Sequence, residues 1–301
     1  MQTLAHGAHN SNGDVSYFYK FTKRLQKSTG SEPKKGWFIA DKSSFRAIEH
    51  ATFYLQHGDV LVEEFLEGPE VSLFFLSDGH NIVPMTPAQD YKRAFDADEG
   101  PNTGGMGAYS PLPWLDDDFI ATVTTTIAQP VIDELASRGH PFIGVLYCGL
   151  IVTDSGIKVI EFNARFGDPE TQVVLARLES PLAPLLYAAA TEMLESVEAP
   201  RFSDDCAITV VLASEGYPEN PQTGREIVGL DTLPVNDHVT FAHAATARDG
   251  SDLLATGGRV MSIVATGATF SDARAHAYAT LEHISLEGSH FRHDIALSVS
   301  S

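Results

Sequence analysis

The sequence predicts an α+β fold, with a mixed region of strands and helices over residues 36–195 and a smaller β-rich domain over residues 196–301. In the first region, strand-like apolar runs are interspersed with amphipathic helical segments. Around residues 196–205 this pattern changes, and strand-like runs dominate the remainder of the chain. The 301 residues, 43 % of them apolar, suffice for two ordinary domains with a sizeable core.

Residues 1–35 differ in kind from the rest of the chain. They carry six Lys or Arg residues against two acidic residues, in a protein whose formal net charge is −20. They are also polar and rich in Gly, Ser, Asn and Lys. We predict a poorly ordered arm here, with a short helix at 15–27.

The strands predicted in the first region are β-branched and aromatic runs bounded by turn residues. They are GWFIAD (36–41), DVLVEEFL (59–66), EVSLFFLSDG (70–79), NIVPM (81–85) and a hairpin of FIGVLYCGLIV (142–152) with IKVIEFN (157–163). The predicted helices cover 43–56, 116–139, 171–178 and 181–194. Pro130 is expected to kink or split the second helix, because proline lacks the N–H that a helix interior needs. Residues 88–114, dense in Gly, Pro and Asn, are predicted to be irregular.

The second region repeats strand-like runs and closes with one helix. The predicted strands are CAITVVLAS (206–214), VTFAHAATA (239–247) and GRVMSIVATG (258–267), and the helix covers 271–285.

Composition excludes several classes of function. The net charge of −20 repels nucleic acid phosphates, and no apolar run is long enough to span a membrane. The first ten residues lack the pattern of a signal peptide, so we expect a cytoplasmic protein. The two cysteines, Cys148 and Cys206, lie in no metal-binding motif, and Cys148 is expected to be a buried small residue.

The strongest motif is VIEFNARFGDPETQ (159–172). Glu161 and Asn163 are two residues apart on a predicted strand, so both side chains point to one face. Two oxygen ligands on one face can hold Mg²⁺, which also takes phosphate oxygens and water. Arg165 is expected to continue that face and to neutralise a transferring phosphoryl group. The alternative is an edge strand with solvated polar residues.

The second motif is the loop QDYKRAFDADEGPNTGGMGAYSP (89–111). Its glycines permit close backbone approach to a ligand. Lys92 and Arg93 offer donors to phosphate or carboxylate, while Asp90 and Asp98 can hold an amine. The alternative is a flexible surface loop. A third motif, VEEFLEGPEVS (62–72), is equally well explained as a β-hairpin with acidic residues at its turn.

Together these motifs resemble the phosphoribosylamine–glycine ligase (glycinamide ribonucleotide synthetase) family of purine biosynthesis. The resemblance runs from about Gly36 to about Ile295 and includes HAATA (243–247), GGRVMSIVATG (257–267) and FRHDI (291–295), most of which we interpret as packing. It implies an ATP-grasp core over 36–195 and a C-terminal domain of the family type over 196–301.

This sequence departs from the family at three points. Tyr91 stands where the family usually has His. Lys35-Gly36 aligns with the second Lys-Gly pair of a VxKADGLAAGKGV stretch, whose first lysine and glycine loop have no counterpart here. The family's N-terminal nucleotide-like domain has none either, so the resemblance leaves residues 1–35 unmatched and predicts that this chain alone turns over poorly.

The resemblance assigns roles to individual residues. The catalytic residues would be Arg165, Lys92 and Asp168, with Glu161 and Asn163 as metal ligands. The ATP site would comprise Lys35, Glu63, Phe65, Leu66 and Glu70, with the adenine on the strand end and the ribose on Glu70. The substrate loop would comprise Asp90, Arg93, Asn102, Thr103, Gly104, Gly105, Met106 and Gly107.

The implied reaction joins glycine to 5-phosphoribosylamine with ATP and Mg²⁺ or Mn²⁺, giving glycinamide ribonucleotide, ADP and phosphate through a glycyl phosphate. The implied protein is a cytoplasmic monomer without nucleic acid or membrane partners. One alternative is a non-catalytic remnant that keeps the fold and at most weak nucleotide binding. Another is a different ATP-grasp carboxylate–amine ligase, against which the strings RFGDPETQ and GPNTGGMGAYSP argue.

Overall fold

The computed structural model describes residues 66–300, the backbone of four short strands before them, and the helical residues Thr52 and Leu55. It divides into two units, one of residues 1–68 with 153–156 and one of residues 69–152 with 157–301. Within the described residues, no helix is both long enough and apolar enough to cross a lipid bilayer.

The described part of the first unit is an antiparallel sheet. Its strands are β1 (Ala8–His9), β2 (Val15–Lys20), β3 (Trp37–Ile39) and β4 (Leu61–Glu64). Strand β2 pairs with each of the other three. The predicted strands at 36–41 and 59–66 are thus confirmed.

The helix predicted at 15–27 is wrong over its first six residues, which form β2. Its sequence, VSYFYK, is rich in the β-branched and aromatic residues that favour strand pairing. The predicted helix at 43–56 is helical at Thr52 and Leu55, and its other residues lie outside the described part of the chain, as does most of the predicted arm.

The second unit holds most of the secondary structure. Its strands are β5 (Glu70–Asp78), β6 (Ile82–Pro84), β7 (Gln89–Asp90), β8 (Arg93–Phe95), β9 (Glu99–Asn102), β10 (Gly107–Ser110), β11 (Ile143–Thr153), β12 (Gly156–Asn163), β13 (Cys206–Ala213), β14 (Ile227–Val228), β15 (Val239–His243), β16 (Thr246–Asp249), β17 (Asp252–Ala255), β18 (Arg259–Gly267) and β19 (Ser285–Leu286). Its α-helices are α1 (Phe119–Val123), α2 (Gln129–Ser137), α3 (Glu170–Arg177), α4 (Leu182–Ala190) and α5 (Phe270–Leu281). Short 3-10 turns cover Asp96–Asp98, Leu194–Ser196, Leu230–Thr232 and Leu297–Val299.

A four-stranded sheet in the order β12-β11-β5-β6 carries the predicted metal-binding strand. The expected hairpin of β11 and β12 and the strand at 81–85 are confirmed. In β5, Leu73 and Phe75 pack into one core cluster, whereas Phe74 and Leu76 pack into another. Strand β5 is therefore buried on both faces, because successive side chains point to opposite sides of a sheet.

A second sheet, in the order β15-β18-β13-β10-β7, combines strands from both predicted domains. Strand β13, the first of the C-terminal region, pairs with β10 in the register Ser110↔Ala207. It belongs to a different sheet from β11 and β12. The boundary near residue 196 stays a prediction, and sheet pairing joins the regions on its two sides.

The segment 88–114 is more regular than expected, since it contains β7, β8, β9 and β10. These strands are two to four residues long, and β9 and β10 contain Gly or Pro, so they lack the side-chain pattern of ordinary strands. Their pairing depends on partners elsewhere, such as β13 for β10.

The predicted helix at 116–139 is interrupted, as expected from Pro130. A π-helical turn, Thr124–Ala128, separates α1 from α2 just before the proline. Proline cannot donate to the carbonyl of Thr126 and its ring crowds that carbonyl, so a wider turn relieves the conflict. The other three predicted helices are confirmed as α3, α4 and α5.

Candidate functional site

The predicted metal-binding pair lies at the end of β12. Asn163 Nδ2 donates to Glu161 Oε1 over 3.0 Å, so the two side chains lie on one face, as their spacing predicts. On neighbouring β11, a Cβ added to Gly149 would come within 3.3 Å of Glu161 Cγ. The glycine therefore leaves space for the Glu161 side chain.

The donor chemistry of this pair fits Mg²⁺, a hard cation that takes carboxylate and amide oxygens. The described residues contain no group of three or more His, Cys, Asp or Glu side chains that could hold a metal ion. An ion held by Glu161 and Asn163 would leave coordination positions for phosphate oxygens and water.

Arg165 and Asp168 lie beyond the end of this strand. The expectation that Arg165 continues the strand face is wrong, because β12 ends at Asn163 and a bend follows. The Arg165 guanidinium is exposed and donates to the backbone oxygen of Phe166 over 2.8 Å. Asp168 is also exposed, and one carboxylate oxygen accepts from Gln172 Nε2 over 3.0 Å.

Lys92 is surrounded by carboxylates. Its ammonium group contacts the carboxylate of Glu70 and lies 4.0 Å from Asp90 Oδ1. Burial disfavours the charge of Lys92, but Asp90 and Glu70 outweigh it and raise its pKa. Burial also raises the pKa of Asp90, against the attraction of Lys92 and with further contributions from Glu170 and Glu70. The single ammonium group of Lys92 thus offsets the negative charge of both Glu70 and Asp90.

Glu170, which the sequence analysis did not single out, is a buried carboxylate behind this cluster. It accepts hydrogen bonds from Ser72 Oγ (2.9 Å) and Tyr147 Oη (3.1 Å). A Cβ on Gly167 would lie 2.7 Å from Glu170 Oε2, so the glycine makes room for this carboxylate. Burial, and then the charge of Glu170, raises the pKa of Tyr147, which keeps the phenol a neutral donor. In the sequence, the string GDPET (167–171) is what could have indicated the role of Glu170.

The glycine-rich loop is held by bonds within itself. The Thr103 backbone N–H and hydroxyl both donate to the Lys92 carbonyl, over 2.7 and 2.9 Å. The Thr103 hydroxyl in turn accepts from Gly105 N over 2.9 Å. Gly105 has a φ of +112°, and a Cβ there would lie 2.3 Å from Pro169 Cδ. Its glycine requirement thus comes from close approach to the loop after β12.

The other predicted substrate residues divide between surface and core. Asn102 is exposed at the end of β9, and the Arg93 guanidinium donates to the Gly100 carbonyl over 2.8 Å. Met106 is fully buried. A Cβ on Gly107 would lie 2.6 Å from the Thr209 carbonyl. The described contacts of Met106 and Gly107 are with the protein core, and their substrate-binding role stays a prediction.

Arg259, at the start of β18, joins the two motifs and was missed by sequence reasoning. Its Nη1 donates to the backbone oxygens of Gly104 (2.8 Å) and Asp168 (3.0 Å). Its Nη2 forms an ion pair with Asp168 Oδ2 at 3.0 Å. Tyr217 Oη adds a contact by accepting from Gly104 N over 3.0 Å. In the sequence, the string GGRVM (257–261) is what could have indicated this role of Arg259.

The residues predicted to bind ATP fall largely on the less fully described unit. Glu63 lies in β4, Leu66 is half-buried, and Lys35 and Phe65 lie outside the described residues. Strand β4 pairs with β2, whereas β5 pairs with β11 and β6. The alternative that residues 62–72 form a simple hairpin is therefore wrong.

Comparison with known proteins first defines the class. The biotin carboxylase domain of 2-oxoglutarate carboxylase from Hydrogenobacter thermophilus matches 92 % of this chain and 58 % of its own, with a TM-score of 0.63 and 13 % identity. That likeness shows the fold alone. Residues 10–171 match the family model described as phosphoribosylglycinamide synthetase, ATP-grasp (A) domain. The chain is thus an ATP-grasp protein, as predicted.

The same comparisons define the family. Residues 207–298 match the phosphoribosylglycinamide synthetase C domain. Phosphoribosylamine–glycine ligase from Leifsonia xyli is 59 % identical over 272 residues, which are 90 % of this chain and 65 % of that relative. The crystal structure of the Thermotoga maritima enzyme of that name is 31 % identical, with a TM-score of 0.80 over 93 % of this chain and 68 % of its own. This chain belongs to the phosphoribosylglycinamide synthetase family.

The matches also define how much of the family this chain spans. The ATP-grasp match begins at residue 10, so it includes much of the stretch 1–35 that the resemblance left unmatched. The chain spans slightly less than two thirds of the length of the Leifsonia relative.

Proposed function

We propose that this chain carries out the ATP-dependent ligation of glycine to 5-phosphoribosylamine, giving glycinamide ribonucleotide, ADP and phosphate. The observation that carries the proposal is the meeting of the two family motifs, in which Arg259 bonds both Gly104 and Asp168. The high identity to relatives named phosphoribosylamine–glycine ligase supports the same reaction.

The first step would transfer the γ-phosphoryl group of ATP to a carboxylate oxygen of glycine. The bond from the γ-phosphorus to its bridging oxygen breaks, and ADP leaves with that electron pair. Lys92 and Arg165 would offset the negative charge of the transferring group, while Asp168 would hold the loop beside it. A transfer that relies on positioning and charge stabilisation requires no covalent enzyme intermediate.

In the second step the amine of phosphoribosylamine would attack the carbonyl carbon of glycyl phosphate. Phosphate leaves with the electrons of the carbon–oxygen bond, and the amine nitrogen loses a proton. Asp90, whose carboxylate lies 4.0 Å from the Lys92 ammonium, would hold that amine. The loop residues Arg93, Asn102, Thr103 and Gly104 would surround the anionic substrates.

Mg²⁺, or Mn²⁺, would supply charge neutralisation at the phosphates, held by Glu161 and Asn163. ATP would be bound by the strand end that carries Glu63, Phe65 and Leu66, with Glu70 at the ribose and Lys35 at the phosphates. We further propose a cytoplasmic monomer that acts on small molecules without nucleic acid or membrane partners.

The test is an assay of ADP release by the purified chain with ATP, Mg²⁺, glycine and phosphoribosylamine. We expect turnover to be slow, as the sequence analysis predicts for this chain alone. ADP release should require both glycine and the sugar amine, with glycinamide ribonucleotide formed in equal amount. If the chain binds Mg·ATP but forms no product with either substrate, the alternative of a non-catalytic remnant is favoured instead.

A further inference from the structure

Arg292, in the string FRHDI near the end of the chain, is a fully buried cation with 1 % of its side chain exposed. Its Nε and Nη2 donate to the two oxygens of Asp294 over 2.7 and 2.6 Å. Its Nη1 donates to Asp98 Oδ1 over 2.7 Å and to the Arg93 carbonyl over 3.2 Å. The guanidinium carbon also lies 4.7 Å from the centre of the Tyr91 ring. One side chain thus joins segments 194 to 199 positions apart.

The loop that Arg292 contacts has a strained backbone. Ala97 and Asp98 have φ values of 56° and 54°, in the left-handed region that residues other than glycine avoid. This conformation is strained, so surrounding contacts must maintain it. Asp294 Oδ2 accepts from Ala97 N over 2.9 Å, and His293 N donates to Asp96 Oδ1 over 2.7 Å. The segment 292–294 supplies those contacts.

The longer segment 292–296 contacts the residues on both sides of Lys92. The Tyr91 hydroxyl accepts from Ala296 N over 2.9 Å, and the Arg93 carbonyl accepts from Arg292. The Lys92 side chain instead contacts Glu70. The C-terminal segment therefore contacts both chain neighbours of Lys92, whose own carbonyl is held by Thr103.

We propose that Arg292 is a positioning residue that holds the loop 91–98 so that Lys92 and Arg93 meet the anionic substrates. The proposal rests on the proposed function. Arg292 acts through the loop, since it is buried and its donors already bind Asp98, Asp294 and a carbonyl. A lysine at this position would keep the charge but could not bridge both carboxylates, because its ammonium lacks the planar fork of donors.

The test compares Arg292→Lys with a matched control, Arg177→Lys. Arg177 is also buried, but it donates to Thr86, Ser110 and the carbonyls of Ser203 and Asp205, none of which belongs to the loop 91–98. In Arg292→Lys we expect amide hydrogen exchange in the loop to rise at least about 10-fold while exchange in β13 stays unchanged. We expect kcat/KM for glycine and phosphoribosylamine to fall about 100-fold, as for a misplaced catalytic group. The KM for ATP should stay within about twofold.

Arg177→Lys should lower the unfolding temperature yet leave loop exchange and all three KM values as in the wild type. The proposal is overturned if Arg292→Lys leaves loop exchange at the wild-type rate, or if both variants raise exchange equally throughout the protein. If the wild-type chain itself releases no ADP, the proposed function fails. In that case, the difference in loop hydrogen exchange between the two variants still shows whether Arg292 holds the loop.

Discussion

Asp168 and Arg259, 91 residues apart, are joined by an ion pair and a hydrogen bond. The Asp168 carboxylate pairs with Nη2 and its backbone oxygen accepts from Nη1, each at 3.0 Å. The same Nη1 also donates to the Gly104 carbonyl. A single side chain from the C-terminal region therefore sets the spacing between the glycine-rich loop and the loop after β12. This gives the C domain a direct part in shaping the candidate site.

Replacing Arg259 should damage catalysis more than stability. In Arg259→Ala the two loops lose their shared donor, and we expect kcat/KM to fall about 100-fold because the reacting groups are misplaced. The unfolding temperature should also fall, because the Arg259 side chain is only 24 % exposed and its contacts are lost, so the kinetics are measured well below that temperature. Steady-state kinetics and thermal unfolding provide the two measurements.

Arg138→Ala is the matched control for Arg259→Ala. Arg138 forms an exposed ion pair with Glu134 in the last turn of α2, and such pairs contribute little. Its kinetics should equal those of the wild type. If Arg259→Ala also keeps wild-type kinetics, Arg259 does not organise the site.

Gly105 should tolerate no side chain. An alanine at its φ of +112° would place Cβ 2.3 Å from Pro169 Cδ. Gly139 has a similarly positive φ of +78°, yet a Cβ there meets nothing within 4 Å. Gly139→Ala should therefore cost about 1–2 kcal/mol for its backbone conformation alone. Gly105→Ala should cost about 1–3 kcal/mol more because of the clash. Urea unfolding of both variants measures the difference, and equal costs would contradict the close approach.

Sequence reasoning succeeded where the relevant residues are neighbours in the chain. The i, i+2 spacing of Glu161 and Asn163 placed them on one strand face, and Pro130 interrupted its helix as expected. It missed Arg259 and Arg292, because the loops that they contact lie 91 or more positions away and only the folded chain brings them together. The short strands of the segment 88–114 were missed for a similar reason. The Gly and Pro residues of this segment carry no strand pattern, and β10 pairs with the distant β13.

Glu161 should control the metal dependence of nucleotide binding. In Glu161→Gln the carboxylate becomes a neutral amide, which is a weaker ligand for a hard cation. We expect the affinity for Mg·ATP to fall at least about 10-fold, as even outer-shell changes at metal sites do. The affinity for ATP measured in EDTA should change far less. Calorimetric titration gives both values.

Glu134→Gln, on the exposed surface of α2, is the control for Glu161→Gln and should bind Mg·ATP as the wild type does. Equal losses for Glu161→Gln with and without Mg²⁺ would show that Glu161 acts on the nucleotide or the fold and not through the metal.

His290 should make the protein less stable in mild acid. Its Nε2 is buried without a hydrogen-bond partner among the described residues, and burial lowers the pKa of its imidazole below the ordinary 6.5. As the pH falls below 6.5, the unfolded chain takes up a proton that the folded protein still resists. The free energy of unfolding therefore decreases as the pH is lowered through that range.

Glutamine cannot titrate, so His290→Gln should lack this part of the loss. Urea unfolding from pH 8 to pH 5 should show a constant difference between the two proteins above pH 7 and a widening gain for the variant below it. A difference that stays constant down to pH 5 would contradict a buried neutral His290.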